Sequence, residues 1–155
     1  MKWPGSRRSP GVSTVIRVQT EDFDPGTELE RLRRENHGQA GAMVSFTGLV
    51  RDLNEGDTIT QMTLEHYPGM TEKALEKIEQ EARQRWELTA SLIIHRVGPL
   101  APNDNIVFVA AASRHRKQAF LACEFMIDTL KTNAPFWKKE ILPDGTRWVQ
   151  PSTSE

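Results

Sequence analysis

The chain has 155 residues, 37% hydrophobic and 26% charged, with a formal net charge of −1. That balance fits one ordinary globular domain and excludes a disordered chain, and no global field points to nucleic acid or to a membrane surface. Charge is uneven, however: residues 111–150 carry seven Lys/Arg against four acids, a local +3 that leaves −4 elsewhere. An anion-binding region would sit there, although solvated helix faces are often charged in the same way.

Residues 1–12 are basic and punctuated by Pro4, Gly5, Pro10 and Gly11, without the apolar run of a secretory signal, and read as a flexible arm. Residues 15–19 are β-branched and strand-like. Asp24-Pro25-Gly26 is a turn signal before a short helix at 27–36. Residues 42–51 alternate as a strand, with Val44 and Phe46 on one face. A loop at 54–57 and a second strand at 59–67 follow. Thr71, after a Pro-Gly turn, is expected to cap a helix over 72–86 whose Leu75, Ile78, Ala82 and Trp86 recur at helical spacing. Strands are expected at 90–97 and 105–112.

A second long helix is expected from about 114 to 131, with Ala119, Phe120, Cys123, Met126, Ile127 and Leu130 in one apolar stripe. Pro135 stops it, since proline cannot continue a helix ladder. Residues 136–142 and 146–150 then form a hairpin about Pro143-Asp144-Gly145. The order β-α-β-β-α-β-β-α-β-β implies an α+β domain rather than regular βαβ winding.

Cys123 is the only cysteine, which excludes an intrachain disulfide and a cysteine-rich metal site and suits a reducing, cytoplasmic setting. It reads as a small core residue, and Tyr67, Trp86, Trp137 and Trp148 are read as core aromatics too. No apolar run approaches the roughly 20 residues needed to span a bilayer. Phosphate-binding glycine loops and the G-x-S-x-G elbow are absent. His37, His66, His95 and His115 lie far apart, so a metal site is not expected.

Two lysines stand out. Lys131 falls at the edge of the apolar stripe, where partial loss of hydration would favour a neutral amine able to act as base or nucleophile. Its place near a helix C-terminus is also what the macrodipole favours, with the stem lying along apolar surface. Lys138 follows Phe136-Trp137 in a strand and could equally be a surface residue. His115 and Arg116 open the long helix beside Arg114 and Lys117. Cations there oppose the dipole unless an anion is bound, or the cluster is simply solvated. Arg51 ends a strand next to a glycine-containing loop, a place suited to an anion clamp.

Five strings then stand in a distinctive order: FTGLVR at 46–51, TLEHYPGM at 63–70, IHRVG at 94–98, the Ser113-Arg114-His115-Arg116 turn, and LKTNAPFWK at 130–138. Together they closely resemble the large, catalytic subunit of molybdopterin synthase, over about residues 14–150. The expected division is an arm at 1–13, the catalytic-subunit domain at 14–150 and a tail at 151–155.

The resemblance implies an α/β hammerhead fold with an added antiparallel β subdomain. It also implies a homodimer within a heterotetramer. The partner is a ubiquitin-like small subunit whose C-terminal thiocarboxylate enters a pocket of the large one. Two sulfurs pass to cyclic pyranopterin monophosphate to form the dithiolene of molybdopterin, with no cofactor or metal at this step. Lys131 and Lys138 match the family's catalytic lysines: Lys131 as acid/base or transient nucleophile, Lys138 as an orienting group that stabilises developing negative charge. Arg51, His115 and Arg116 match residues around its anion pocket, some of which the neighbouring protomer can supply, and Lys139 and Glu140 extend the pocket segment.

Two places depart from the pattern. Leu49 stands where family members often carry a lysine, and Pro151 and Ser152 follow where some carry a basic residue. Both bear on substrate affinity. A scaffold that binds a ubiquitin-like partner without catalysis is the competing reading, but it has no need of a lysine beside an apolar stripe. A nucleic-acid binder would need a broad basic face, against a pI of 6.4.

Overall fold

The computed structural model describes residues 13–54 and 56–149; the expected arm and tail lie outside them, apart from Ser13, which opens the first strand. Thirteen elements are described: β1 (Ser13–Gln19), α1 (Pro25–Glu35), β2 (Ala42–Leu49), β3 (Leu53–Asn54), β4 (Asp57–Thr58), β5 (Gln61–His66), α2 (Met70–Arg85), β6 (Ala90–Arg96), β7 (Gly98–Leu100), β8 (Asn105–Ser113), α3 (Arg116–Asn133), β9 (Phe136–Leu142) and β10 (Gly145–Val149).

Eight of the ten described strands form two four-stranded sheets, and β3 and β4 pair as a small separate hairpin. The first runs β1-β6-β8-β2, with β1 parallel to β6 and the other pairs antiparallel. The second is the antiparallel order β10-β9-β5-β7. This mixed α+β architecture agrees with the sequence reading. Helices cover both faces of the first sheet. Leu75, Ile78 and Ala82 of α2 and Ala122, Cys123 and Met126 of α3 pack with Ile93, Val109 and Ala111 on one face. Leu32 of α1 packs with Leu92, Ile94, Phe108 and Ala110 on the other. Strands β6 and β8 are therefore buried on both sides, which is why they read as continuous apolar runs rather than alternating ones. Phe108 is wholly buried, and truncating such a residue to Ala costs about 3–5 kcal/mol.

One polar network crosses this core. Glu79 of α2 accepts hydrogen bonds from Thr14 of β1 (3.0 Å) and from Ser91 of β6, and is held in a fork by Arg83 Nε and Nη2 at 2.6 and 2.9 Å. Removing Arg83 would leave a buried carboxylate short of its countercharge, at about 3–5 kcal/mol.

Several local expectations are corrected. Thr71 is not the cap of α2: Gly69 is, at φ 87°, and the Glu72 carboxylate accepts from the Gly69 N–H at 2.7 Å. Thr71 is fully buried inside the first turn. Its Oγ1 accepts from the Tyr67 N–H and donates to the Pro135 carbonyl, tying the β5–α2 turn to the α3–β9 turn. Helix α1 starts at Pro25, two residues early, because Asp24 caps it and proline suits a first helical turn. Helix α3 begins at Arg116 and runs to Asn133. In its stripe Ala122 is buried, whereas Phe120 is 60% exposed. Cys123 is in the core as expected, and burial pushes its thiol up to about 11. Tyr67, Trp137 and Trp148 are exposed rather than core, and Trp86 is half-buried against Phe125.

Candidate functional site

The chain turns out of β2 through an irregularity in pairing between Gly48 and Leu49. Gly48 lies so close to β8 that a Cβ there would come within 2.7 Å of Val107 Cγ1. This close approach carries Arg51 to the rim of a cavity of about 170 Å³ between the two sheets. The last turn of α3 supplies Lys131, half-buried, and β9 supplies Lys138 and Glu140. The walls are apolar: Met62 and Leu64 of β5, Val107 of β8, Ile127 and Leu130 of α3. A mostly apolar cleft with a few convergent polar groups is the usual form of a small-molecule site.

Alternation along β9 decides which of its residues take part. Lys138 and Glu140 face the cavity. Lys139 projects from the opposite face, where its Nζ lies 5.8 Å from the Trp148 ring centroid. The sequence reading grouped Lys139 with the pocket, and strand geometry separates it. Trp137, on that outer face too, packs edge-on against Tyr67 at 4.6 Å.

Glu140 is 3% exposed, and its carboxylate accepts from Arg147 Nε at 2.9 Å. Arg147 Nη1 also reaches Asp57 at 2.8 Å, so one guanidinium links β10, the cavity wall and the small β3–β4 hairpin. These two carboxylates, Glu140 foremost, hold the Arg147 guanidinium above its ordinary pKa.

His115 and Arg116 are not brought to this cavity. They stand at the other end of α3, exposed, with His115 as the N-cap. Lys131 lies fifteen positions along the helix from Arg116, about 22 Å at helical rise. The cap makes no side-chain hydrogen bond to the helix, and no acid lies in the first turn. The His115 N–H donates instead to Ser113 Oγ, and its ring lies 3.7 Å from Glu87.

Two groups are not evident from the sequence: Arg147, which backs the cavity residue Glu140, and His95, which lines the cavity. Arg147 is placed opposite Glu140 by the β9–β10 register, a pairing that a correctly closed hairpin would have made legible. His95 sits within the apolar run of β6; only the burial of that strand on both faces reveals it as a wall of the cavity.

The family model described as "MoaE protein" matches residues 18–133. This chain belongs to the MoaE protein family. It is 58% identical over 135 residues to the molybdopterin synthase catalytic subunit of Ralstonia nicotianae, covering 87% of this chain and 76% of that one. It is 56% identical over 141 residues to the corresponding subunit of Pseudomonas aeruginosa, covering 91% and 93%. Among solved structures, the molybdopterin biosynthesis MoaE protein of Burkholderia ambifaria superposes with a TM-score of 0.79 at 53% identity, with 92% of each chain covered.

Proposed function

We infer that this chain is the catalytic subunit of a molybdopterin synthase. It transfers two sulfurs from the thiocarboxylated C-terminus of a ubiquitin-like small subunit to cyclic pyranopterin monophosphate, forming the dithiolene of molybdopterin. The observation that carries the site reading is the convergence of Arg51, Lys131 and Lys138, from the loop after β2, the end of α3 and β9, on one apolar-walled cavity. An acyl-sulfur transfer needs a proton carrier near the attacked carbon and a cation near the developing negative charge. Lys131, at the end of a helix and against Ile127 and Leu130, serves as the acid/base or transient nucleophile. Lys138 orients the substrate and stabilises charge. Arg51 takes the pterin phosphate, its planar fork matching two phosphate oxygens. Glu140, held by Arg147, keeps the β9 wall in register beneath Lys138.

His115 and Arg116 enter a site only through assembly: in a homodimer at the centre of a heterotetramer, they complete the anion pocket of the neighbouring protomer. No described helix is long and apolar enough to cross a membrane, and we assign the reaction to the cytoplasm.

A reconstituted assay tests this reading. The purified chain is mixed with thiocarboxylated small subunit and cyclic pyranopterin monophosphate, and dithiolene product is followed for wild type, Lys131→Ala and Lys138→Ala. Product from wild type with large losses in both folded variants is expected. A folded wild type that binds the small subunit yet makes no product would leave only a scaffold role.

A further inference from the structure

The transfer scheme above leaves one wall of the cavity without a task. His95 is 6% exposed, and its ring lies face to face on Phe136, centroids 3.7 Å apart and planes within 16°. Its Nδ1 stands 2.8 Å from the Arg96 carbonyl oxygen. A carbonyl can only accept, so Nδ1 carries the proton and Nε2 keeps its lone pair. No described residue hydrogen-bonds Nε2, although the ring lines the cavity. Burial, with His66 and Lys131 nearby, holds the imidazole neutral down to about pH 4. The result is a fixed, uncharged acceptor in a cavity whose other polar side chains are chiefly cationic. Nε2 opens onto the cavity, so a ligand that displaces solvent there binds best when it brings a donor to this acceptor.

We propose that His95 is a substrate-contacting residue whose Nε2 accepts a hydrogen bond from a ring N–H or exocyclic amine of the pterin heterocycle. This rests on the cavity being the transfer site. It also sets the orientation of the substrate. An ionised phosphate oxygen has no proton to give, so the phosphate is turned away from His95 towards the arginine side, and the heterocycle meets the Nε2 edge of the His95 ring, whose face is stacked on Phe136.

Two substitutions separate this role from a packing role. His95→Asn can still donate from the δ position to the Arg96 carbonyl but has nothing at the ε position. His95→Gln can place an amide oxygen at the ε position while losing the bond to Arg96. With the small subunit saturating, His95→Asn is expected to raise the KM for the pterin precursor about tenfold with kcat nearly unchanged, and His95→Gln to restore most of the affinity. The opposite ranking, or equal KM in all three proteins, would overturn the assignment. A second measurement needs no variant. The Nε2 nitrogen resonance of His95 in the wild-type chain should shift when pterin precursor is added and stay in place with inorganic phosphate alone; no shift at saturating precursor also overturns it. If wild type makes product and the histidine tests fail, the orientation falls and the transfer reading stands. If wild type makes no product, the transfer reading falls, and the nitrogen shift alone decides whether His95 meets the pterin.

Discussion

Helix α3 has two unlike ends. At its C-terminus Lys131 sits among Ile127, Leu130 and Ala134, opposite β9 and β5, in a walled cavity. A cation there is favoured by the helix dipole even before a ligand arrives. At its N-terminus Arg114, His115, Arg116 and Lys117 are all exposed, no acid lies in the first turn, and the dipole opposes their charge. The first end is enclosed in a cavity within one chain. The second is an exposed cationic cluster that lines no described cavity of this chain, and under the proposed function it is half a site that a bound anion would neutralise. The contrast teaches that one end of a helix can be enclosed by its own chain while the other stays open, and the proposed function divides chemistry and anion binding between them.

The largest way to break the contrast is Lys131→Ala. Product formation should fall about a thousandfold, as for loss of a general acid/base, with the thermal midpoint nearly unchanged because the lysine is only half-buried. Unchanged turnover would move the chemistry elsewhere in the cavity.

The closed end should also show itself in stability against acid. In the unfolded chain His95 titrates near 6.5, and in the fold near 4. Between those values the unfolded state binds a proton that the native state refuses, so stability falls as pH drops through this window, by about 3 kcal/mol at the lower limit. Urea unfolding from pH 7 to 4.5 should show that slope in wild type and lack this part of it in His95→Gln. Parallel curves would mean that the ring is not held neutral.

At the open end, Arg116→Ala should raise the KM for the pterin precursor about tenfold while leaving kcat close to wild type, since a phosphate contact acts in ground and transition states alike. Mixing sharpens this: dimers assembled randomly from Lys131→Ala and Arg116→Ala chains should regain about a quarter of the wild-type sites, each built from one intact half of either chain. Absence of any regain would place Arg116 outside the neighbour's pocket. The smallest effect is expected for Lys139→Ala, whose side chain lies on the far side of β9 against Trp148. Initial rates should stay within about twofold, as for surface changes remote from a site.

Helix and strand placement was largely legible because periodicity is a local property. The helical extent of α3, the strand at 42–49 and the stop at Pro135 all appear in the fold within a few residues, although burial along β2 does not alternate and Phe46 is exposed. Errors arose where a neighbour distant in sequence decides the outcome. Thr71 looks like a cap until Pro135 supplies a partner for its hydroxyl. Phe120 fits the stripe by type, but the packed face of α3 turns towards Ala122. Residue type alone places Trp137, Trp148 and Tyr67 in the core, whereas the structure exposes all three.

The sequence by itself determined the family strings, the two lysines, the arginine after β2 and the order of elements that carries them. Only the tertiary structure decided which of these meet. Arg51 and Lys131 lie eighty positions apart, and the Gly48 approach to Val107 and the meeting of two sheets bring them to one cavity. It also decided that Lys139 faces away, that His115 and Arg116 stand about 22 Å along the helix from Lys131, and that His95 is buried and neutral. Those outcomes depend on burial from both faces of β6 and on the pairing register of β9. Such contacts are non-local, and no run of neighbouring residues encodes them by its own spacing.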